Sequence, residues 1–135
     1  MFTEKEVQYL EDQPLCRVAT AQPDGTLQVS PVGFTYNPET ETIDLMGLNL
    51  RKSRRFRNVA DNGRIALVID DVPSTDPWRV RSLEIRGHAE ALTDVETPGH
   101  HDDAMIRVHP RRIIAIGVED WDVDYTKQVP HSRNV

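Results

Sequence analysis

The residues with the clearest chemical potential form a cationic run in the middle of the chain. Five of the 16 lysines and arginines fall within seven consecutive positions: Arg51, Lys52, Arg54, Arg55 and Arg57. The run leads into a segment with helical spacing, so it lies at a helix start, where free N–H groups and the helix dipole are already positive. Cations crowded there repel one another unless an anion binds. The pattern therefore favours a phosphate-sized ligand, and from the residues alone a solvated basic helix face explains it about equally well.

The rest of the chain is acidic, and this limits the classes of function. The net charge is −6, with 22 acidic residues in the chain. An acidic body with one local basic segment argues against a broad nucleic-acid-binding face, as does the scarcity of aromatic residues near that segment. An RNA-binding module that uses residues 51–57 remains a rival hypothesis, and it predicts an affinity that falls steeply with salt.

Length and composition favour a small single-domain protein. The chain has 135 residues and one cysteine, Cys16, which excludes an internal disulfide and fits a reducing compartment. The first residues are charged and lack the apolar core of a signal peptide. No apolar run approaches the roughly 20 residues of a membrane helix. We therefore expect a soluble, cytoplasmic protein with no membrane partner.

The elements that must position the cationic run are mostly strands. Thr3 and Glu6 form a capping box that predicts a helix over 3–12, and helical spacing predicts a second helix within 49–62. Apolar alternation between turn signals predicts strands over 15–21, 26–36, 42–48, 64–70, 80–92, 106–109 and 112–118, with the last two divided by Pro110. Residues 71–76, which include Pro73, are expected to form a polar loop. Short strands at this spacing predict a sandwich or a barrel.

The order of these motifs resembles the pyridoxamine-phosphate-oxidase-like split-barrel superfamily. The resemblance covers roughly residues 3 to 118, and its motifs are the Pro-Asp-Gly turn at 23–25, Pro31-Val32-Gly33-Phe34, Asn37-Pro38 and Ser53-Arg54-Arg55-Phe56-Arg57-Asn58-Val59. Three further stretches, at 76–81, 84–87 and 106–113, look like the short actinobacterial branch of users of the deazaflavin coenzyme F-420.

This resemblance implies a mainly β fold. The expected architecture is a six- to seven-stranded antiparallel split β-barrel with short flanking helices. It is expected to form a homodimer with two cofactor grooves along the dimer interface. On this basis residues 1–119 form the cofactor-binding domain, including the helix at 3–12, and residues 120–135 form a polar C-terminal tail.

The resemblance also implies the cofactor-binding residues. Members of the family hold the cofactor phosphate with a basic residue two positions before an Arg-Asn pair, which here is Arg55, preceding Arg57 and Asn58. Ser53 and Arg54 would help to cradle the phosphate. The residues expected along the ring and at the rim of the groove are Ser30, Pro31, Val32, Met46, Gly47, Arg79 and, from the partner subunit, Trp78.

The function implied by the resemblance is that of an oxidoreductase. It would use coenzyme F-420 to reduce a small conjugated substrate by hydride transfer. Arg51 and Lys52 would suit the carboxylates of that coenzyme's tail and favour it over FMN. The alternatives are an FMN-dependent oxidase or reductase and a non-catalytic flavin- or deazaflavin-binding protein. No catalytic residue is assigned, and the second proton would come from solvent or from a polar groove residue, for which Tyr36 is the candidate.

Other chemically active residues have simpler explanations. His100 to Asp103 are of metal-ligating types, but adjacent loop residues rarely converge on one ion, so we expect no metal site. Cys16 lies in a predicted strand and is expected to be a small buried apolar residue. His88 and His109 lie in or beside strands and are expected to be structural.

Overall fold

The computed structural model describes residues 1–97, 99 and 102–135, most of which belong to seven strands and two helices. The helices are α1 (Glu4–Asp12) and α2 (Arg54–Asn62). The strands are β1 (Leu15–Ala21), β2 (Leu27–Asn37), β3 (Thr42–Leu45), β4 (Arg64–Thr75), β5 (Trp78–Leu92), β6 (Met105–Ile116) and β7 (His131–Asn134). Single 3-10 turns lie at Leu50–Lys52 and Tyr125–Lys127.

All strand pairs are antiparallel, and six of the strands close into a barrel. The sheet order is β3-β2-β1-β4-β5-β6-β7, and a second pairing of β3 with β6 closes the ring. Strand β7 pairs with a later stretch of β6 than β3 does, through the pairs Arg112–Asn134 to Ala115–His131. The predicted mainly β split barrel with short helices is confirmed.

The core is formed by the alternate residues of each strand that point into the barrel. In β4, Ile65, Leu67 and Ile69 are buried, as expected for a central strand. The residues between them, Ala66 and Val68, are also apolar but face outward. Period-two alternation therefore fills the interior and leaves an apolar patch on the outer surface of the sheet.

Helix α1 lies where the sequence predicts, and α2 ends where predicted but begins only at Arg54. Thr3 and Glu6 form the capping box of α1, with the Thr3 amide donating to Glu6 Oε1 over 2.9 Å. Helix α2 starts after Ser53 and ends at Gly63, which has a φ of 68°. A β-carbon at Gly63 would lie 2.3 Å from the His88 ring, so glycine is required there. None of the helices in the described ranges is long and apolar enough to cross a membrane.

The predicted polar loop at 71–76 is wrong, because β4 and β5 continue through it as a hairpin. We call residues 70–81 the arm. Pro73 lies at an irregularity in the register between Asp71 and Ser74. A proline is tolerated there because the ladder is already interrupted and needs no N–H from it. The proline marked a bulge in a strand and not the end of one.

Pro110 likewise does not divide the last two predicted strands. Strand β6 is continuous, and the pairing shifts so that Arg86 faces Arg112 while Gly87 faces Pro110. The extra residue, Arg111, forms a bulge. Gly87 permits it, because a β-carbon there would lie 2.1 Å from the His109 carbonyl oxygen. In contrast, β3 is shorter than predicted and ends at Leu45, so Met46 and Gly47 leave the ladder.

The segment expected as a polar tail contains β7 and anchors the N-terminal helix. Glu6 is fully buried, and the Arg133 guanidinium donates to both of its carboxylate oxygens, over 3.0 and 2.6 Å. The hydrogen bonds to Glu6 raise the pKa of Arg133. A buried carboxylate needs such a partner because burial removes its hydration. The two ends of the chain are therefore joined by one ion pair.

We expect Arg133→Ala to destabilise the protein by about 3 kcal/mol, because Glu6 would remain buried without a counter-charge. Thermal unfolding followed by circular dichroism measures this loss. The control is Arg112→Ala in β6, which removes an exposed hydrogen bond to Asn134, the neighbour of Arg133 in β7. This variant should lose less than about 1 kcal/mol of stability. Equal losses in the two variants would show that the buried pair has no special role.

Candidate functional site

The barrel is open along one edge of β2. Strand β2 pairs with β1 from Leu27 to Gly33, but it pairs with β3 only from Phe34 to Asn37. In the described part of the chain, no strand therefore covers the second edge of residues 27–33. The segment 46–57 runs beside this edge, because it leaves β3 next to Phe34 and returns to Ser30 through Arg55. We call the space between β2 residues 27–33 and segment 46–57 the seam.

The positive end of α2 points to the seam. The Ser53 hydroxyl accepts a hydrogen bond from the Phe56 amide over 3.2 Å and donates one to the Leu50 carbonyl over 2.7 Å. This cap fixes where the helix begins. The first turn contains Arg54, Arg55 and Arg57 and no acidic residue. Free N–H groups, the helix dipole and three guanidinium groups thus act in the same place.

Arg55 connects α2 to β2 and has an unused donor. Its Nη1 donates to Ser30 Oγ over 3.0 Å. Its Nε is buried, and no acceptor within the described residues reaches it. A buried donor without a partner is costly, so it marks a position where an acceptor from a ligand would be favoured. An anion at this point would meet a charged, preorganised group, and the residues present therefore fit a phosphate.

The other residues predicted to bind the phosphate differ in their exposure to solvent. Arg54 and Arg57 are exposed on α2, whereas Asn58 is buried. The Asn58 amide donates to Thr20 Oγ1 over 3.0 Å, and its Oδ1 is buried without a partner in the described chain. Asn58 thus ties α2 to β1, and in this chain its side chain faces away from solvent.

Arg51 already has acidic partners. Its Nη2 lies 2.8 Å from Asp103 and 3.9 Å from Asp94, and its amide donates to Asp102 over 3.0 Å. The positive charge of Arg51, expected to bind a carboxylate tail, is therefore already paired with aspartates of the chain. Lys52 is exposed. His100 and His101 lie outside the described residues, and no cluster of three or more metal-ligating side chains occurs within the described ones.

The residues predicted to lie against the ring are close together but do not share one face. Ser30 and Val32 point toward the interior, and Pro31 points outward. Met46 follows β3 and lines a depression of about 200 Å³ together with Pro14, Gly33, Phe34 and Thr35. Gly47 has no atom within 4 Å of the position of a β-carbon, so a side chain there would project into open space.

Trp78 and Arg79 lie far from Ser30 and Arg55 in one chain. Ser30 is level with Leu67 in the sheet, whereas Trp78 pairs with Thr75 at the end of the arm. Eight residues of strand correspond to about 25 Å. The indole of Trp78 is 62% exposed. The structure therefore does not bring these two groups of predicted residues together within one subunit.

Tyr36 is also remote from the phosphate residues. It lies six residues beyond Ser30 on the same strand, or about 20 Å, and its ring packs edge-to-face on Phe2 with centroids 5.5 Å apart. Burial, followed by Glu41, raises the pKa of its phenol. Cys16 is fully buried, and burial raises its pKa to about 12. The thiol therefore stays protonated and is a core residue.

Sequence reasoning missed a polar cluster at the root of the arm. Arg81 donates to both carboxylate oxygens of Asp71, over 3.0 and 2.6 Å, and the Tyr9 hydroxyl donates to the same carboxylate over 2.7 Å. Burial and then the bond to Asp71 raise the pKa of the Tyr9 phenol well above its usual range. No sequence signal links these residues, because Tyr9 and Asp71 are separated by 62 positions.

Comparison with known proteins agrees with this architecture. A sequence model described as pyridoxamine 5'-phosphate oxidase matches residues 2–123. The chain is 46% identical over 120 residues to a 5a,11a-dehydrotetracycline/5a,11a-dehydrooxytetracycline reductase of Streptomyces rimosus, covering 87% of this chain and 84% of the relative.

Solved structures with low sequence identity share the fold. A conserved hypothetical protein of Mycobacterium tuberculosis superposes with a TM-score of 0.66 at 17% identity, covering 85% of this chain and 84% of the other. General Stress Protein 26 of Bacillus anthracis superposes with a TM-score of 0.67 at 13% identity, covering 98% of this chain and 97% of the other.

Proposed function

We propose a function for this chain from the premise that it belongs to the pyridoxamine 5'-phosphate oxidase family. The chain is an oxidoreductase. In our proposal it binds the deazaflavin coenzyme F-420 in the seam and reduces a conjugated carbon–carbon double bond of a small substrate. The relative at 46% identity is named as a reductase of a dehydrotetracycline, which supports a polycyclic, conjugated substrate of that class.

Arg55 is the observation that carries the proposal. It is a guanidinium between the start of α2 and β2, with one donor held by Ser30 and another buried and free of any acceptor in the described chain. Such a group is costly without a ligand and favourable with an anion. The cofactor phosphate would bind here, with Ser53, Arg54 and the first N–H groups of α2.

The rest of the cofactor would lie along the open edge of β2. The backbone of residues 27–33 has polar groups without a strand partner on that side, and a planar heterocycle with donors and acceptors on its edges could pair with them. Gly47 leaves room beside this edge. When bound, the reduced deazaflavin supplies a hydride. The chain's own residues hold the ring, exclude water and fix its distance from the substrate.

The choice of coenzyme rests on the cations beyond the phosphate. Lys52 is exposed near the start of α2 and is available to a carboxylate tail. Arg51 would have to exchange its bonds to Asp103 and Asp94 for bonds to that tail. FMN, which lacks the tail, is therefore the second candidate cofactor, and the protein would then be an FMN-dependent oxidase or reductase.

We also propose that the protein works as a homodimer. Leu27 and Val29 are 77% and 69% exposed on the outer face of the sheet, beside Ala66 and Val68. A patch of this kind is typical of an interface. Because the patch borders the free edge of β2, a second copy seated on it would cover the seam. It would also bring an exposed Trp78 from the partner, which one chain cannot supply.

The first test is a paired titration of the purified protein with coenzyme F-420 and with FMN, followed by calorimetry and tryptophan fluorescence. We expect micromolar or tighter binding of F-420 and weaker binding of FMN. The reverse order would assign the protein to the FMN users. Tight binding without turnover of any conjugated ketone would indicate a carrier, and binding of RNA alone, with a steep salt dependence, would overturn the proposal.

We expect Arg55→Ala to weaken F-420 binding by about 1–3 kcal/mol, the scale of a lost charge-assisted hydrogen bond. Arg55→Lys should lose less, because it keeps the charge but not the planar fork. Arg111→Ala is the control: it removes the same charge from the β6 bulge, where the side chain donates a hydrogen bond to the carbonyl of its neighbour Pro110. If Arg55→Ala and Arg111→Ala bind the coenzyme equally, the phosphate does not bind at Arg55.

We expect Val29→Lys to convert the dimer to a monomer and to weaken coenzyme binding at least tenfold. In a symmetric interface the substitution places like charges against each other, and because Val29 is exposed, the fold should persist. Sedimentation velocity measures the oligomeric state. Val129→Lys, at an exposed valine in the C-terminal segment, should leave both properties unchanged. A monomeric native protein, or a dimer that survives the substitution, would contradict the assignment of this face.

A further inference from the structure

The arm extends beyond the barrel as a two-stranded ribbon. Strand β1 accompanies β4 only as far as Val68, and β6 accompanies β5 only from Ser82. Within the described residues, positions 70–75 and 78–81 therefore have no third strand beside them. An isolated hairpin is at best marginally stable in water. Other contacts must determine the direction in which the arm, and with it the exposed Trp78, points.

The root of the arm is fixed by the cluster already described. Asp71 and Arg81 face each other across the two strands and form a bidentate ion pair. Tyr9 of α1 donates to Asp71, and the Arg81 guanidinium lies 5.0 Å from the centre of the Tyr9 ring. These contacts hold residues 71 and 81, but they do not reach the outer half of the arm.

The outer half is held by Trp121, in the segment that follows β6. The Arg79 guanidinium lies 3.7 Å from the centre of the indole, and its Nη2 donates to the Trp121 carbonyl over 2.5 Å. Arg81 lies 5.5 Å from the same ring. Both guanidinium groups come from one side of the arm, two residues apart, and Trp121 binds them through its π-face.

The turn after β6 brings Trp121 to this position. Gly117 has a φ of 71°, and a β-carbon there would lie 2.5 Å from the Val80 carbonyl oxygen. The chain thus passes directly against the backbone of the arm before it reaches Trp121. The approach of Gly117 to Val80 and the stacking of Arg79 on Trp121 are only a few residues apart, so segment 117–121 packs along one side of the arm and supports it.

We infer that Trp121 is a positioning residue that orients Trp78 through Arg79. Trp121 does not lie at the seam, and its effect on a cofactor or substrate passes through the arm. Arg79, which the resemblance placed near the groove rim, is engaged with Trp121 and acts in this proposal as the link. The consequence for catalysis rests on the proposed function, because only in the dimer would the arm reach a seam, that of the partner subunit.

The test uses the fact that the chain has two tryptophans. In Trp121→Phe, Trp78 is the sole indole, and an aromatic ring still faces Arg79. In Trp121→Ala, Trp78 is again the sole indole but the stacking is lost. Time-resolved fluorescence anisotropy of Trp78, measured without cofactor, should show a nanosecond component whose amplitude is at least twofold larger in the Ala variant than in the Phe variant.

Two further variants keep this test decisive. Tyr125→Ala, made in the Trp121→Phe background, removes an exposed aromatic side chain of the same segment and should leave the anisotropy unchanged. Arg79→Leu in that background removes the cation and should reproduce the effect of Trp121→Ala, which also covers the case in which Trp121→Ala does not fold. Equal decays in the Phe, Ala and Leu variants would overturn the inference.

Calorimetric titration with coenzyme F-420 tests the functional consequence. We expect Trp121→Ala to raise the Kd about fivefold and Trp121→Phe to restore it. In a Trp78→Ala background, Trp121→Ala should have no further effect, because both residues act through the same side chain. Additive losses would overturn the positioning role. Failure of the native protein to bind F-420 would overturn the proposed function alone, since the anisotropy is measured without cofactor.

Discussion

The barrel closes through a single four-residue strand, and this constraint determines where the candidate site lies. Strand β3 pairs with β2 over Thr42–Leu45 and with β6 over Ile43–Leu45. A closed ring removes sheet edges, which otherwise invite aggregation. Because β3 is so short, the closure is incomplete, and residues 27–33 of β2 keep one open edge. The chain then turns at Met46 and Gly47 and places the start of α2 beside that edge. The position of the seam and the contact between Ser30 and Arg55 therefore depend on where β3 ends.

A second feature of the structure is that three carboxylates of the described chain are paired with arginines. Glu6 is balanced by Arg133, Asp44 accepts from Arg107 over 3.1 Å, and Asp71 is paired with Arg81. The first two pairs join elements that are distant in sequence, so they fix the fold as well as a charge, whereas the third joins the two strands of the arm. Arg55 and Arg79 differ, because each donates to a neutral oxygen and has a buried Nε without a partner in the described chain. Of the two, Arg55 lies in the first turn of α2, and its unpaired donor supports the proposed phosphate position better than the number of cations does, since Arg51 of the same run already contacts Asp103 and Asp94.

Local signals predicted the elements well and their continuation poorly. The capping box at Thr3, the strand at 15–21 and the end of α2 at Gly63 depend on neighbouring residues, so the sequence states them directly. The sequence predicts breaks at Pro73 and Pro110, but a proline ends a strand only where the partner strand cannot accommodate a shift in register. Gly87 has no side chain that would clash with the bulge opposite it, and the sequence of neither segment predicts that Gly87 pairs with Pro110. The same applies to the site: the run 51–57 was evident, but only the fold shows that Arg55 meets Ser30 and that Arg51 meets Asp103.

The two groups of proposed site residues do not meet within one subunit. The seam with Arg55 lies at the middle of the barrel, and the arm with Trp78 extends about 25 Å beyond it along the strands. Both parts carry features that are unfavourable in isolation: a buried donor without an acceptor, an exposed indole, and an exposed apolar face between Leu27 and Val68. A two-fold arrangement would resolve all three at once, because it would cover the face and bring the arm of one copy toward the seam of the other. In that arrangement the contacts of Arg79 with Trp121 and of Arg81 with Asp71 would orient an arm that reaches the seam of the partner subunit. They would thus affect that seam without contacting it.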